Sequence, residues 1–363
     1  MVRFAYAKVG AVVVPISPSF GAPEAIAVLR HCAARALVLG PGPGCEERAG
    51  ILAGLLSDLE NCPAGQIHSA ILPDLRVVVS LGNLRYPGMY LFKDLIDLGE
   101  LVPRSELRRI EEDLRSDRTE MIYFAQPPPV PGVMLTHRNL IWAAGAVVEA
   151  SDITESDRVL LAVDFSDLTG FIAGSLSSLL AGASLIPLVH HHPLTVLDAA
   201  RRIGATMIIG SSGTFSKLIA LPDHRLDPGS PRRGLILGPG SPELLHAIAT
   251  ELMPADLLLG KPETSGILAW SSTGNETKEP DSLTARACPG LEIRIVHPAD
   301  RHEIGREGTG ELAVRGPAVM KGYYASPEET TRVLDPQGWL YTGYLARLDG
   351  RGFLRWEDAP PVR

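Results

Sequence analysis

Residues 120–140, EMIYFAQPPPVPGVMLTHRNL, place an apolar run, a proline-rich loop and the approach to a helix in immediate succession. The run 121–124 reads as a strand, and an amphipathic helix is expected over 140–150. The flanks, 121–123 before and 132–139 after, look like the surroundings of a phosphate-binding loop. Such a loop needs consecutive backbone N–H donors aimed into one concavity, and glycines to reach the dihedrals that aim them. The loop here reads Phe124-Ala125-Gln126-Pro127-Pro128-Pro129-Val130-Pro131. Proline has no N–H and a fixed φ, so four potential donors are removed. No Gly, Ser, Thr or Lys stands between Tyr123 and Gly132. The loop therefore predicts a crippled or abolished nucleotide site.

Working outward, strand-like runs over 12–16, 36–39, 77–81, 159–163, 185–189, 207–210, 235–238 and 257–260 alternate with helical patterns over 23–34, 140–150, 193–203 and 242–252. Strands and helices alternating at this spacing imply parallel sheets covered on both faces. From about Gly290 the pattern changes to short β segments with tight turns, over 293–296, 310–314, 320–324, 339–344 and 352–356. The fold class expected is α/β, with two parallel-type sheets and their covering helices plus a small C-terminal β subdomain. The expected divisions are a first α/β lobe over 1–118, a second over 119–288 that carries the degenerate phosphate loop, and a β-rich subdomain over 289–363.

A net charge of −8 over 363 residues argues against a nucleic-acid partner, which would require a basic face. Residues 168–189 carry no charge and are long enough to cross a bilayer. Their Ser, Thr, Gly and Pro content reads instead as a buried helix followed by a buried strand, so no membrane association is expected. Cys32, Cys45, Cys62 and Cys288 lack metal-ligand spacing and fit a reducing cytoplasm. The run His190-His191-His192 is either a metal cluster or a solvated loop at a strand end; contiguous histidines cannot all face one ion, which favours the loop.

Six short motifs in order resemble the acyl-adenylate-forming superfamily: acyl-CoA synthetases, coumarate–CoA ligases, luciferases and peptide-synthetase adenylation domains. They are 7–15 (AKVGAVVVP), the flanks of the 124–131 loop, Glu263-Thr264-Ser265-Gly266, 310–317 (GELAVRGP), 320–324 (MKGYY) and Trp339-Leu340-Tyr341-Thr342-Gly343. The resemblance implies the large N-terminal domain of an adenylating enzyme, shortened ahead of Met1. It also implies that the family's mobile C-terminal domain is absent, since residue 363 falls where the hinge would begin.

The same resemblance assigns residues. Glu263 would hold magnesium, although a metal-free structural role stays open. Gln126, Glu263 and Tyr344 are the remnants of the nucleotide site, with Tyr344 standing where the family carries a ribose-binding Asp. Leu259 and Pro262 replace the aromatic residue and the Thr of the adenine motif. The acyl pocket would be lined by Val163, Phe165, Asp167, Leu168, Gly238, Gly240, Leu259, Gly260 and Thr264. Asp164 and Asp167, three residues apart, serve either acid–base work or the cap of a helix starting near Leu168; with Tyr344 they are the catalytic candidates.

Loop, adenine motif, ribose contact and catalytic domain all depart from the pattern together. The expectation is therefore a catalytically inactive, truncated acyl-CoA synthetase-like pseudoenzyme that has lost ATP binding and is not an ATP-dependent acid–thiol ligase. No cofactor is expected, ATP and magnesium being lost. It would keep an acyl- or partner-binding role, its partner a small acyl or carboxylate ligand or another protein. A homodimer or heteromeric complex is expected to cover the surface left by the missing domains. Two alternatives stand beside it: an enzyme reusing the acyl pocket for ATP-independent chemistry, and a truncated acyl-adenylating ligase completed by a partner.

Overall fold

The computed structural model describes residues 2–40, 54, 56, 59–82, 85–223, 226, 231–238, 240–272, 284–305 and 308–356. Cys45 and Pro239, the latter between the expected pocket residues Gly238 and Gly240, lie outside them. The chain divides into two compact units, Met1–Gly132 and Val133–Arg363.

In the first unit the order is α1 (Val2–Lys8), α2 (Ala22–His31), β1 (Ala36–Leu39), β2 (Val77–Ser80), β3 (Met89–Leu91), α3 (Phe92–Gly99), α4 (Arg104–Glu112) and β4 (Thr119–Tyr123). Strands β1, β2 and β3 pair in parallel, with Ala36 opposite Val77 and Val78 opposite Met89. Leu29, Leu37, Leu56, Leu59, Ile67, Leu75 and Val78 close a core beneath them. The strand expected over 12–16 is reduced to a single bridge, in which the Val13 N–H donates to the Glu120 carbonyl at 2.8 Å. Pro15 has no N–H for a longer ladder and Val12 is 45% exposed, so neither pairing nor burial extends the strand.

The proline loop follows β4 and is anchored by its first residue. Phe124 is buried and packs edge-on against His31, ring centroids 5.9 Å apart. Gly132, at the far end of the loop, lies against the same ring: a Cβ there would stand 2.5 Å from Phe124 Cζ. The Val130 N–H is turned back onto the Pro127 carbonyl at 3.3 Å.

The second unit opens with β5 (Val133–Thr136) and α5 (His137–Ser151). Thr136 and Asn139 form a capping box: the Asn139 N–H donates to Thr136 Oγ1 at 3.1 Å and the Thr136 N–H to Asn139 Oδ1 at 2.8 Å. After β6 (Arg158–Ala162), the turns Leu168–Gly170, Phe171–Leu176 and Ser177–Ala181 run on as one helical segment, α6, whose middle stretch is π-helical. There follow β7 (Ser184–Pro187), α7 (Pro193–Ile203), β8 (Met207–Ser211), α8 (Ser212–Ile219), β9 (Arg233–Leu237), α9 (Pro242–Glu251) and β10 (Ala255–Leu259). The remaining strands are β11 (Ala269–Ser272), β12 (Thr284–Ala287), β13 (Glu292–Val296), β14 (Gly310–Arg315), β15 (Gly322–Tyr323), β16 (Leu340–Leu348) and β17 (Leu354–Trp356), with α10 (Pro327–Val333) between β15 and β16.

Among the described residues one sheet runs β7-β6-β8-β9-β10-β11-β12-β17-β16-β14-β13. From β7 to β10 it is parallel, and from β10 onward every pairing is antiparallel. The small β subdomain is thus continuous with the parallel sheet. The parallel strands are apolar because helices cover them: Val196, Leu197 and Phe215 pack with Leu160, Ile208, Ile236 and Leu257 in one core. Segment 168–189, uncharged in sequence, resolves into α6, largely buried through Ser178 but with Leu179 and Leu180 exposed, and the edge strand β7. That strand is half-buried to exposed rather than buried as expected, because it pairs on one side alone among the described residues. No helix among the described residues is long and apolar enough to cross a membrane.

Candidate functional site

The turn between β10 and β11 gathers the chemistry of the second unit. β10 ends at Leu259, and Gly260 then passes so close to the returning chain that a Cβ would lie 2.6 Å from the Gly266 carbonyl carbon. Pro262 opens a 3₁₀ turn, Pro262–Thr264, where its missing N–H costs nothing. Thr264 Oγ1 accepts from the Lys261 N–H at 3.1 Å and donates to the Lys261 carbonyl at 3.0 Å. Ser265 takes a left-handed φ of 54°, and its hydroxyl donates to the Ala318 carbonyl at 2.7 Å. The Glu263 carbonyl accepts from the Met320 N–H at 2.9 Å. The residue that projects from this turn, Glu263, is therefore held on every side by backbone bonds.

Its carboxylate divides into two halves. Oε1 accepts the Tyr323 hydroxyl at 2.6 Å and lies 3.5 Å from Lys261 Nζ. Oε2 is buried and has no hydrogen-bond partner among the described residues. Lys261 also donates to the Thr342 carbonyl at 3.1 Å and sits 5.6 Å from the centre of the Tyr344 ring. Tyr344 is aimed by an irregularity in β16: the register of β14 against β16 slips between Glu311 and Ala313, Gly343 takes φ 75°, and its N–H is caught by Glu311 Oε1 at 2.8 Å. Burial, and then the Glu263 charge, push the Tyr344 phenol up to about 12. The same two causes, in the same order, with the hydrogen bond to Glu263 added, raise Tyr323 further. Both phenols are neutral donors across the working pH range.

The remaining expected residues fall into three groups. Asp167 caps α6, its carboxylate accepting the Gly170 N–H at 2.6 Å. Burial raises its pKa, the Gly170 and Thr169 N–H groups lower it, and the neighbouring Asp164 charge adds to the rise. Asp164 itself is exposed, as is Phe165, with Val163 half-buried beside them. Gly266 joins this segment to the turn: a Cβ there would touch Thr169 Oγ1 at 3.1 Å and Leu168 Cγ at 3.6 Å. The structure thus brings 163–169 and 259–266 together. Leu168, Leu259 and Thr264 are buried, and Gly260 is exposed. Gly240 sits over Leu257 and Ser212, and Gly238 is exposed with φ 87°. Gln126 belongs to the first unit, exposed on the proline loop.

Sequence reasoning missed Lys261 and Tyr323 as members of the cluster. Tyr323 lay inside a quoted motif but carries no signal of its own partner. Lys261 stands between a Gly and a Pro, in a pattern that reads only as a turn. An open surface recess of about 520 Å³ in the first unit, between Asn61, His68 and Arg76, includes none of the expected site residues.

The family model described as "AMP-binding enzyme" matches residues 131–324. Among known proteins, "Putative acyl-CoA synthetase YngI" of Bacillus subtilis is 31% identical over 360 residues, covering 98% of this chain and 66% of that protein. The mitochondrial medium-chain acyl-CoA ligase ACSF2 of Macaca fascicularis is 26% identical, with 98% and 59% covered. Among solved structures, the anthranilate CoA ligase AuaEII in complex with anthranoyl-AMP superposes with a TM-score of 0.77 at 19% identity, over 98% of this chain and 65% of that one. The chain therefore spans roughly three-fifths to two-thirds of these relatives, and its α/β fold is that of the large domain of adenylating enzymes.

These comparisons correct the expectation of a catalytically inactive protein that has lost ATP binding and kept only an acyl- or partner-binding role. Relatives named as synthetases and ligases align along nearly the whole chain, and no observation positively indicates inactivity. The physical reason for the misreading is local. The proline argument counts donors in one eight-residue loop, whereas the second unit gathers Glu263, Lys261, Tyr323 and Tyr344 in one cluster that this count does not include.

Proposed function

Because the chain belongs to the AMP-binding enzyme family, we propose that it is the large, substrate-holding part of an acid–thiol ligase, in which a carboxylate would take AMP from ATP with release of pyrophosphate and the acyl group would then pass to a thiol with release of AMP. The names of its relatives support the reaction class. The observation that carries the reading is the Glu263 carboxylate, fixed through Oε1 and left with a buried Oε2 that has no partner among the described residues. A buried acceptor without a partner is costly unless a ligand completes it, and a hard cation or a hydroxyl suits it. A magnesium ion, when bound there, would neutralise phosphate charge.

The protein's own residues divide the remaining work. Tyr323 orients Glu263 by donating to Oε1. Lys261 has three donors, of which one is given to the Thr342 carbonyl and one faces Glu263. The third is available to an anionic group entering the cluster, a cation that the proline loop lacks. Tyr344 offers a neutral O–H, which donates to a sugar hydroxyl where an Asp would accept. The exposed Asp164 and Phe165, and Gly238, where a Cβ would meet nothing within 4 Å, are the open positions that an acyl chain would use. A cytoplasmic location belongs to the same reading, supported by the free thiols of Cys32, Cys62 and Cys288.

The test uses an acyl sulfamoyl-adenosine, a stable mimic of acyl-AMP whose binding does not require turnover. Calorimetric titration with a medium-chain mimic is expected to give one saturable site per chain, weakened at least about tenfold by Glu263→Gln or Lys261→Met, the loss of one charge-assisted contact. Absence of binding by the folded wild type, or equal binding by both variants, would overturn the proposal.

A further inference from the structure

The antiparallel end of the sheet carries a second group of chemistry-bearing side chains that the proposed ligase reaction does not use. Strand β13 leads into His297-Pro298-Ala299-Asp300-Arg301-His302 before the chain returns towards β14. We propose that His297, Asp300 and His302 form a binding site for one divalent transition-metal ion of borderline softness: cobalt, nickel or zinc.

The geometry is that of a three-ligand half-shell. Asp300 Oδ1 lies 2.6 Å from His302 Nδ1 and 3.1 Å from His297 Nδ1. One ligand atom from each residue falls within 4.8 Å of the other two. The imidazole rings are stacked, 5.1 Å between centroids and 17° between planes, so both present Nδ1 to the same carboxylate. An ion bonded to nitrogen and oxygen at about 2.1 Å holds tetrahedral ligand atoms about 3.4 Å apart. Opening the shorter contact by a fraction of an ångström therefore admits it, with each imidazole carrying its proton on the outward Nε2. Two imidazoles and one carboxylate select borderline ions over magnesium or calcium, which take mostly oxygen. All three side chains are exposed, and water would complete the coordination.

The turn is built before any ion arrives. The His297 N–H donates to the His302 carbonyl at 2.9 Å, and the Arg301 N–H to the His297 carbonyl at 2.9 Å. Val296 bridges Glu303 beyond it. Arg301 takes a left-handed φ of 61°, a costly conformation for a residue with a Cβ. Two contacts hold it there: its guanidinium lies 3.8 Å from the centre of the Tyr341 ring and donates to the Arg332 carbonyl. The one cation in the turn is thereby committed to a ring and a carbonyl, and the flanking residues Asp300 and His302 project from a backbone that is already fixed.

Cobalt chloride alone is the probe, titrated into the full chain at pH 7.5 by calorimetry and followed by visible absorption. One cobalt per chain is expected, with ligand-field bands and no thiolate charge-transfer band. Asp300→Asn and His302→Ala should each weaken binding at least about tenfold, while the triple variant H190A/H191A/H192A binds as wild type. Because all three ligands are exposed, the variants should keep the wild-type circular dichroism. No binding by wild type, undiminished binding by D300N and H302A, loss in the triple variant or a thiolate band would each overturn the site.

Discussion

Two oxygens of one carboxylate meet different surroundings at Glu263, and the difference fixes what each neighbouring side chain contributes. Tyr323→Phe removes the 2.6 Å donor to Oε1 and leaves Lys261 as its remaining neighbour. Losing a donor to a buried charged group costs about 1–3 kcal/mol, to be read as a lower urea midpoint with unchanged slope; an unchanged midpoint would mean the bond contributes nothing. Tyr344 is tested by pH. An unfolded tyrosine ionises near 10, whereas burial and the Glu263 charge hold Tyr344 at about 12. Between those values the unfolded chain releases its proton first, so stability falls as pH rises through that window; below it the phenol adds no pH dependence. Absorbance at 295 nm should show Tyr344 missing, with Tyr323 and Tyr6, from the phenols that titrate near 10 in the wild type, and Tyr344→Phe should leave the number titrating near 10 unchanged. Glu263 and Tyr344 were legible from motif order alone. Lys261 was not, because a lysine between Gly and Pro has no periodicity, and its partner Thr342 lies 81 residues away.

Elements place these side chains, and the β10–β11 turn is the most constrained of them. Gly260→Ala would push a Cβ into the Gly266 backbone, where no side chain can move aside. A loss above about 2 kcal/mol is expected, in the range of strained or overpacked sites, together with weaker binding of the adenylate mimic. Wild-type stability would show that the turn relaxes. Elsewhere in the second unit, Arg232 donates to both oxygens of Asp157 at 3.0 and 2.8 Å, and Thr206 adds a 2.7 Å bond. Burial raises the Asp157 pKa, but Arg232, Thr206 and the Thr154 N–H together hold it well below the usual carboxylate range. This stability is present above about pH 4, the unfolded value, and is lost as pH falls below it. Asp157→Ala should cost about 3 kcal/mol, the low end for a broken buried pair because Arg232 reaches solvent, and should flatten the acid limb of the melting curve. Most strands were legible as apolar runs, and Pro193–Ile203 shows its helix in full. The strand expected over 12–16 shrinks because sequence does not show that it meets β4 at Val13 alone, which donates to the Glu120 carbonyl and accepts from the Ile122 N–H. The three-residue β3 and the π-helical register of Phe171–Leu176 have no periodicity to betray them.

For the whole molecule, the fold was readable because alternating strands and helices and six ordered motifs agree with one another, and agreement across levels is what specifies a structure. The expectation of inactivity rests on four local departures from a family pattern, whereas relatives named as synthetases and ligases align along nearly the whole chain. Binding and stability are linked in a molecule of this kind, which supplies the global test. A ligand held only by the folded state at one hundred times its Kd adds about 2.7 kcal/mol. For a unit the size of Val133–Arg363 each kcal/mol moves Tm by about 2–4 °C. The acyl-adenylate mimic should therefore raise the calorimetric midpoint by about 5–10 °C, whereas AMP or the free acid alone, each engaging part of the same cluster, should raise it less. Glu263→Gln should remove most of the shift while leaving the unliganded midpoint near the wild type, since Tyr323 still has an amide oxygen to donate to. A shift that survives in Glu263→Gln would place the adenylate on other residues, and no shift with any of the three compounds would overturn adenylate binding by this domain.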